Sequence, residues 1–182
     1  MPAIISFPSP LGVITLQAEG EYITSCDIGR VTWRPEALGA SGGASLSPSP
    51  SHSEFIRGAA KQVLDFLDGD RVSFDLHVEV SGTAFQQAVW RTLASIPFGS
   101  TMTYGEIASA VGIPRAGRAV GAAIAANPVP LLVPCHRVLG TRRNPVGYDR
   151  GSGLDTKLWL LRHESIPFQV TKPRASSLEP AR

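Results

Sequence analysis

Asn127–Val138 reads Asn-Pro-Val-Pro-Leu-Leu-Val-Pro-Cys-His-Arg-Val and contains the residue best suited to covalent chemistry, Cys135, at the end of an apolar run that should bury it. A thiol is a weak nucleophile until it becomes thiolate, and a nearby base or cation is what lowers its pKa. His136 and Arg137 supply both types. Neighbouring side chains on an extended segment point to opposite faces, however, so adjacency alone does not pair them. A lone buried cysteine is in any case more often packing than catalysis. Cys26, the second of the two cysteines, lies far from the first with no Cys-x-x-Cys, which gives neither a disulfide framework nor a cysteine-rich zinc site. His52, His77 and His163 have no spacing that converges on an ion, so no metal and no cofactor are expected.

A chain of 182 residues, 43% hydrophobic, suits one globular unit or two small packed domains. No stretch approaches the ~20 consecutive apolar residues of a membrane span, and the N-terminus lacks the basic residues of a signal peptide. A soluble, cytoplasmic protein with free thiols is expected. The net charge of +2 hides an asymmetry: residues 1–80 carry 5 Lys/Arg against 10 Asp/Glu, net −5, and residues 81–182 carry 12 against 5, net +7. A basic half points to a partner with negative charge, nucleic acid first among them.

The elements that must position the thiol follow from local pattern. Ala3 to Phe7, Gly12 to Ala18 and Tyr22 to Ile28 are Ile/Val/Thr-rich runs separated by turn residues, and predict an antiparallel meander. Residues 39–51, rich in Gly, Ser and Pro, predict a mobile surface loop. Phe55, Ala59, Val63, Phe66 and Leu67 recur at helical spacing from about Ser53 until Asp68-Gly69-Asp70 ends the helix. The alternation of Phe74, Leu76, Val78 and Val80 with polar residues predicts one more half-buried strand. The expected fold class is α+β. A small antiparallel-sheet domain over residues 1–80, with no chemistry of its own, precedes a mostly helical domain over 81–166. A structureless tail is expected from 167 to 182.

In the basic half, Thr83 and Gln86 form a capping box for one helix, and Thr103 and Glu106 form another for a short helix ending at Val111-Gly112. A third helix is expected from about Arg115 to Ala126, where Asn127-Pro128 breaks it. The last two make the outline of a helix-turn-helix. Ala116, Gly117, Ala119, Gly121, Ala122, Ala123, Ala125 and Ala126 leave the third helix almost without bulk. So bare a helix fits either tight packing in a small core or close approach to a groove.

Phe85-Gln86-Gln87, Val89-Trp90, Pro97-Phe98-Gly99, Thr103-Tyr104-Gly105, Arg118-Ala119-Val120-Gly121, Asn127-Pro128, Pro134-Cys135-His136-Arg137-Val138 and Leu160-Leu161-Arg162-His163-Glu164 occur in one order along the chain. In order and approximate spacing this resembles the O6-alkylguanine-DNA alkyltransferases, closely over residues 83–164 and loosely through Ser9-Pro10-Leu11-Gly12 and the strand pattern before it. The resemblance implies a monomeric protein acting on double-stranded DNA that contains O6-alkylguanine, and also O4-alkylthymine. It would move the alkyl group to its own cysteine in one irreversible step. The target base must then leave the stack for a pocket.

Carried onto this sequence, the resemblance makes Cys135 the nucleophile and His136 its base through a bridging water. Glu164 fixes the imidazole, Tyr104 gives a proton to the guanine ring, and Asn127 holds the turn that aims the thiol. Arg118 fills the space the base vacates. Arg115, Thr103, Ala119, Gly121 and Ala125 belong to the surface that meets DNA in the minor groove. The backbones of Val133, Cys135 and Val138 read the base edge. Tyr148 with Gly147, Gly151 and Gly153 forms a lid over the alkyl group, with Lys157 near its base.

Two departures from the family pattern stand out. Ala125 occupies a position that many members fill with a basic or polar residue, and the lid, Gly147-Tyr148-Asp149-Arg150-Gly151-Ser152-Gly153, is longer than usual and carries two charges. Two other readings compete. One is a lesion-sensing relative that binds alkylated DNA without transfer, but such proteins replace the cysteine. The other is a Cys-His-Glu hydrolase, for which the sequence has no oxyanion motif.

Overall fold

The structure, a computed structural model, describes residues 2–29 and 53–169. The loop expected at 39–51 and the tail from 170 onward lie outside the described residues.

Three antiparallel strands, β1 (Ala3–Ser9), β2 (Gly12–Glu19) and β3 (Tyr22–Ile28), form the expected meander in the order β1-β2-β3. Alternation places Ile5, Phe7, Ile14, Leu16, Ile23, Cys26 and Ile28 on its buried face. Against that face packs α1 (Ser53–Asp68), through Ile56, Ala59, Ala60, Val63, Phe66 and Leu67. Gly69, at a φ of +87°, turns the chain out of the helix.

Residues 74–80 keep the expected alternation but do not form a full strand. A single parallel bridge joins Val78 to Ile23. The Gln62 side chain explains part of the difference: it donates to the carbonyl of Asp75 at 3.2 Å and accepts from its amide at 2.8 Å, which satisfies the backbone there in place of a ladder.

The second half opens with α2 (Ala84–Ala94), and both bonds of its capping box, Thr83 with Gln86, are made. Next come β4 (Met102–Thr103), α3 (Tyr104–Ala110) and α4 (Gly117–Ala125). The third helix begins two residues later than expected because Arg115 sits at a φ of +76°, outside helical space. A 3-10 turn (Cys135–Arg137) leads into β5 (Val138–Leu139), and α5 (Leu154–His163) is the last helix among the described residues.

The two-residue strands β4 and β5 pair in parallel, Met102 with Val138 and Thr103 with Leu139. This pairing, which the sequence did not predict, brings the start of α3 beside the cysteine segment. The apolar core runs without a break from the sheet and α1 into α2, α3 and α4. His163 at the end of α5 completes the join: its ring stacks on Trp159 at 5.0 Å, and its Nε2 bonds the carbonyl of Phe66 at 2.6 Å. Phe168, inside the stretch expected to lack structure, packs half-buried against the cluster of Leu139, Leu161 and Ile166, which extends the ordered chain past residue 166.

Candidate active site

Asn127, just past the C-cap of α4, is buried with both ends of its amide engaged. Its Nδ2 donates to the carbonyl of Val133 at 2.8 Å, and its Oδ1 accepts from the amide of Val129 at 3.1 Å. These bonds fix the loop from 127 to 133 and deliver Cys135 to a buried position, 4% exposed. Strand β3 braces the loop from behind, its Cys26 amide donating to the carbonyl of Pro128 at 2.9 Å.

Cys135, His136 and Arg137 form one turn of 3-10 helix, not the extended segment assumed from their sequence. Their side chains therefore fan out at about 120° steps, three residues to the turn. His136 and Arg137 both reach Glu164, which follows the last turn of α5. Nε2 of His136 lies 2.6 Å from Oε1, while Arg137 donates from Nε to Oε2 at 2.8 Å and from Nη2 to Oε1 at 3.0 Å. The amide of Gly99 adds a bond to Oε2 at 3.1 Å, and Arg137 Nη1 donates to the carbonyl of Ile96 at 2.6 Å.

Burial alone would raise the Glu164 carboxyl, but the donors from His136 and Arg137 outweigh it and hold the pKa down to about 2. Glu164 is thus a carboxylate, an acceptor only, which puts the His136 proton on Nε2. Desolvation lowers the His136 pKa against the pull of Glu164, so the ring is neutral near pH 7. Its Nδ1 is then a buried lone pair with no protein partner among the described residues.

The thiol of Cys135 is pushed up by burial, against the polar side chains of Asn127 and Tyr148 and the cations Arg150 and Lys157. A thiol in this state needs a proton acceptor at the moment it reacts.

Beside Cys135 opens a cavity of about 320 Å³, walled by Tyr104, Gly121, Ile124, Ala125, Gly147, Tyr148 and Asp149. It brings together residues from α3, α4, the cysteine turn and the segment before α5. Tyr104 is half-buried, and its hydroxyl makes one long bond, 3.4 Å, to the carbonyl of Val146. Burial, then the nearby Cys135, raises its pKa and keeps the phenol protonated. The Tyr148 hydroxyl is buried beside the thiol without a well-formed hydrogen bond, and burial and Cys135 likewise hold it protonated. Gly147, at a φ of +56°, lies where a Cβ would stand 3.6 Å from the Tyr104 hydroxyl.

Helix α4 shows two faces, one packed and one exposed. Val120, Ala123 and Ile124 are buried, and Trp90 Nε1 donates to the carbonyl of Ala123 at 2.8 Å. Arg118, Ala119, Ala122 and Ala125 are exposed, as is Arg115 just before the helix. The outward face is therefore a shallow alanine strip with a guanidinium at one end, next to the cavity mouth.

Several expected site residues have other employment. Val133 and Val138 are buried and do not wall the cavity; the carbonyl of Val133 accepts from both Asn127 and the Cys135 amide, and the amide of Val138 donates to the carbonyl of Cys135. These groups bond one another within the turn, and the carbonyl of Cys135 keeps a second lone pair beyond its bond from the Val138 amide. Thr103 spends its hydroxyl on the capping box with Glu106. Gly151 and Gly153 shape the ends of the lid and do not line the cavity: the Gly151 amide donates to the carbonyl of Ile28 at 2.9 Å, and a Cβ there would meet Thr156 Oγ1 at 2.5 Å. Lys157 is wholly buried and ties the lid down from below, donating to the carbonyls of Val138 at 2.6 Å and Val146 at 2.8 Å. Desolvation lowers its pKa to about 8. Arg137, expected only as a cation beside the thiol, holds Glu164 instead, and Arg150, expected only as a charge of the lid, donates to the carbonyls of Ala125 and Asn127.

A buried thiol on a cavity wall, a carboxylate-held imidazole one residue on, and an exposed helix of a helix-turn-helix at the cavity mouth define a thiol-bearing group-transfer protein of the helix-turn-helix type. Comparison with known proteins narrows this. The chain belongs to the 6-O-methylguanine DNA methyltransferase family, whose DNA binding domain matches residues 84–166. It is 38% identical over 159 residues to the methylated-DNA--protein-cysteine methyltransferase of Mycobacterium leprae, covering 87% of this chain and 90% of the relative. Identity to the protein of the same name from Haemophilus influenzae is 35% over 177 residues, 92% of each. The solved structure of Mycobacterium tuberculosis O6-methylguanine methyltransferase superimposes with a TM-score of 0.73 at 36% identity, covering 90% of this chain and 93% of that one. The structure of Mycobacterium tuberculosis OGT in complex with DNA gives 0.71 at 36% identity, with 87% and 90% covered. Among the described residues no helix is long and apolar enough to cross a membrane.

Proposed function

We propose that this chain repairs DNA by direct reversal, taking the alkyl group of O6-alkylguanine in a duplex onto Cys135 in one irreversible event. The observation that carries the reading is the Cys135 thiol on the wall of a cavity whose other wall is α4. A residue whose chemistry needs a base out of the stack lies directly behind a helix bare enough to enter a groove. The same thiol disfavours a sensor that binds without transfer.

In the reaction, the His136 Nδ1 lone pair accepts the thiol proton through a bridging water, and Glu164 stabilises the imidazolium. Sulfur attacks the alkyl carbon, the S–C bond forms, and the O6–C bond breaks with its electron pair left on the guanine. Tyr104, a protonated phenol on the cavity wall, gives the ring a proton and recovers one from the site. The proton lost by the thiol is in sum the one the guanine gains, so neither product carries net charge. Residues 81–166 carry both DNA binding and transfer, and residues 1–80 brace them. The protein acts as a monomer in the cytoplasm, a compartment suited to two free thiols.

Mixing the protein with a duplex containing O6-methylguanine and recording intact mass tests the reading. One methyl per protein, with the DNA restored, is expected; an unmodified protein, or repeated turnover, would refute it.

Arg118 occupies the space of the extruded base. Arg118→Ala is expected to slow transfer from duplex DNA by about 10-fold or more, given the few kcal/mol that unstacking costs, and to leave the reaction with free O6-benzylguanine within about twofold. Equal losses on the two substrates would contradict that role.

A further inference from the structure

We propose that Arg150 latches the cavity lid to the end of α4, so that the wall facing the alkyl group and the helix facing DNA move as one body. This makes Arg150 a positioning residue for transfer, and it rests on the function proposed above.

A helix leaves its last four carbonyls without helical partners. In α4 the carbonyl of Ala122 still closes an ordinary helical bond, from the Ala126 amide at 3.1 Å, while Trp90 bonds that of Ala123 and the Asn127 amide bonds that of Ile124 at 3.1 Å. The fourth, Ala125, is served by Nη2 of Arg150 at 2.8 Å. The same nitrogen also reaches the carbonyl of Asn127 at 2.9 Å. One lid side chain therefore holds both the end of the helix and the residue that aims Cys135. Its cation also lies where the helix dipole favours positive charge.

The placement of Arg150 in the lid gives this contact its consequence. Tyr148 and Asp149, just before it, wall the cavity. Just after it, the Gly151 amide is pinned to Ile28 of β3. Gly147 and Gly151 both take positive φ, backbone geometry that favours glycine at the two ends of this segment. Within that segment Arg150 makes the bonds to α4 and the Asn127 turn. Asp149 contributes little to them, since its contact with Arg150 Nε is 3.5 Å and its side chain is 63% exposed. The extra length and two charges that set this lid apart in the sequence thus give it an arginine that reaches the recognition helix.

Arg150→Met keeps the stem and removes the donors. We expect transfer from O6-methylguanine in duplex DNA to slow by about tenfold to a hundredfold, the scale of a misplaced reacting group, while affinity for undamaged duplex stays within about twofold. Arg150→Lys, which keeps charge and donors, should recover most of the rate. Two readouts separate positioning from simple loss of fold. The Gly151 and Gly153 amides should exchange hydrogen faster in Arg150→Met. The pH midpoint for alkylation of Cys135 by iodoacetamide should move up and return in Arg150→Lys. Cys135 is faced by Tyr148 and Arg150 from the lid, Lys157 from α5, Tyr104 from α3 and Cys26 from β3, and of these only Arg150 changes.

Wild-type protein that accepts no methyl would sink the proposed function itself. Active wild type with Arg150→Met within twofold of it, or slowed without faster lid exchange, would overturn the latch alone. An Arg150→Met protein that fails to fold would also overturn it, by placing the residue in the framework of the fold.

Discussion

Cys135→Ser will leave a folded protein that still binds duplex DNA and accepts no alkyl group, so that the mass after incubation with O6-methylguanine DNA equals the mass before. The substitution changes one atom at a buried position, and serine fits the space of cysteine. Folding is preserved because the bonds that place the residue belong to its neighbours: Asn127 to Val133 and Val129, and the Cys135 amide to the carbonyl of Val133. Chemistry is lost because a hydroxyl is far less acidic than a thiol, and burial already pushes even the thiol upward. His136, neutral and with one free lone pair, has enough basicity to take a thiol proton during attack but not to generate an alkoxide. Stoichiometry should fall from one methyl per protein to none, read by intact mass and by the methyl retained in the DNA. A Cys135→Ser protein that still removes methyl would place the acceptor elsewhere, and Cys26 would be the thiol to examine first.

How much of this was legible in the sequence divides by distance along the chain. The meander, the capped helices and the end of α1 rest on alternation, helical spacing and capping pairs three residues apart, all local signals, and they stand where the pattern put them. The pairing of β4 with β5 has no such signal: two strands of two residues each show no period, and only the folded chain sets Met102 beside Val138. Arg137 looked like a neighbour of the base, yet its partners, Ile96 and Glu164, lie 41 and 27 positions away. Arg150 reaches back 25 positions to Ala125. The extended geometry assumed for Cys135 and His136 failed for a related reason. Pro134 and the apolar run before it look like strand, but the turn is set by Asn127, whose amide ties down Val133. That same turn occupies the backbone of Val133 and Val138, groups that the sequence could only count as available.

Glu164→Gln is the sharpest probe of the network behind the thiol, because it preserves shape while removing one charge. The carboxylate accepts four bonds: His136 Nε2 and Arg137 Nη2 at Oε1, Arg137 Nε and the Gly99 amide at Oε2. A glutamine offers one oxygen, so its NH2 must face two former donors. Placed at the Oε2 side, it would oppose two N–H groups that cannot change. Placed at the Oε1 side, it opposes one, since His136 can relieve the clash by moving its proton from Nε2 to Nδ1. The second arrangement costs less, and it removes the lone pair that the reaction uses. Methyl transfer should therefore fall by about 10²–10⁴-fold, the range of a lost general base, with DNA affinity little changed. Stability should fall as well, because the Arg137 guanidinium is left buried without its counter-charge, a loss of about 3–5 kcal/mol for a broken buried pair. The pH dependence supplies an independent check. The folded carboxyl has a pKa of about 2, against about 4.3 for an ordinary glutamate. A depressed folded pKa contributes stability that is present above about 4.3 and lost as pH falls toward 2. Wild-type protein should thus lose stability steeply across that window, and Glu164→Gln, with nothing to protonate there, should show a flatter acid limb in urea titrations. An acid limb as steep as wild type would mean that another carboxylate carries the acid sensitivity. Transfer at the wild-type rate would mean that His136 does not depend on Glu164 for its tautomer.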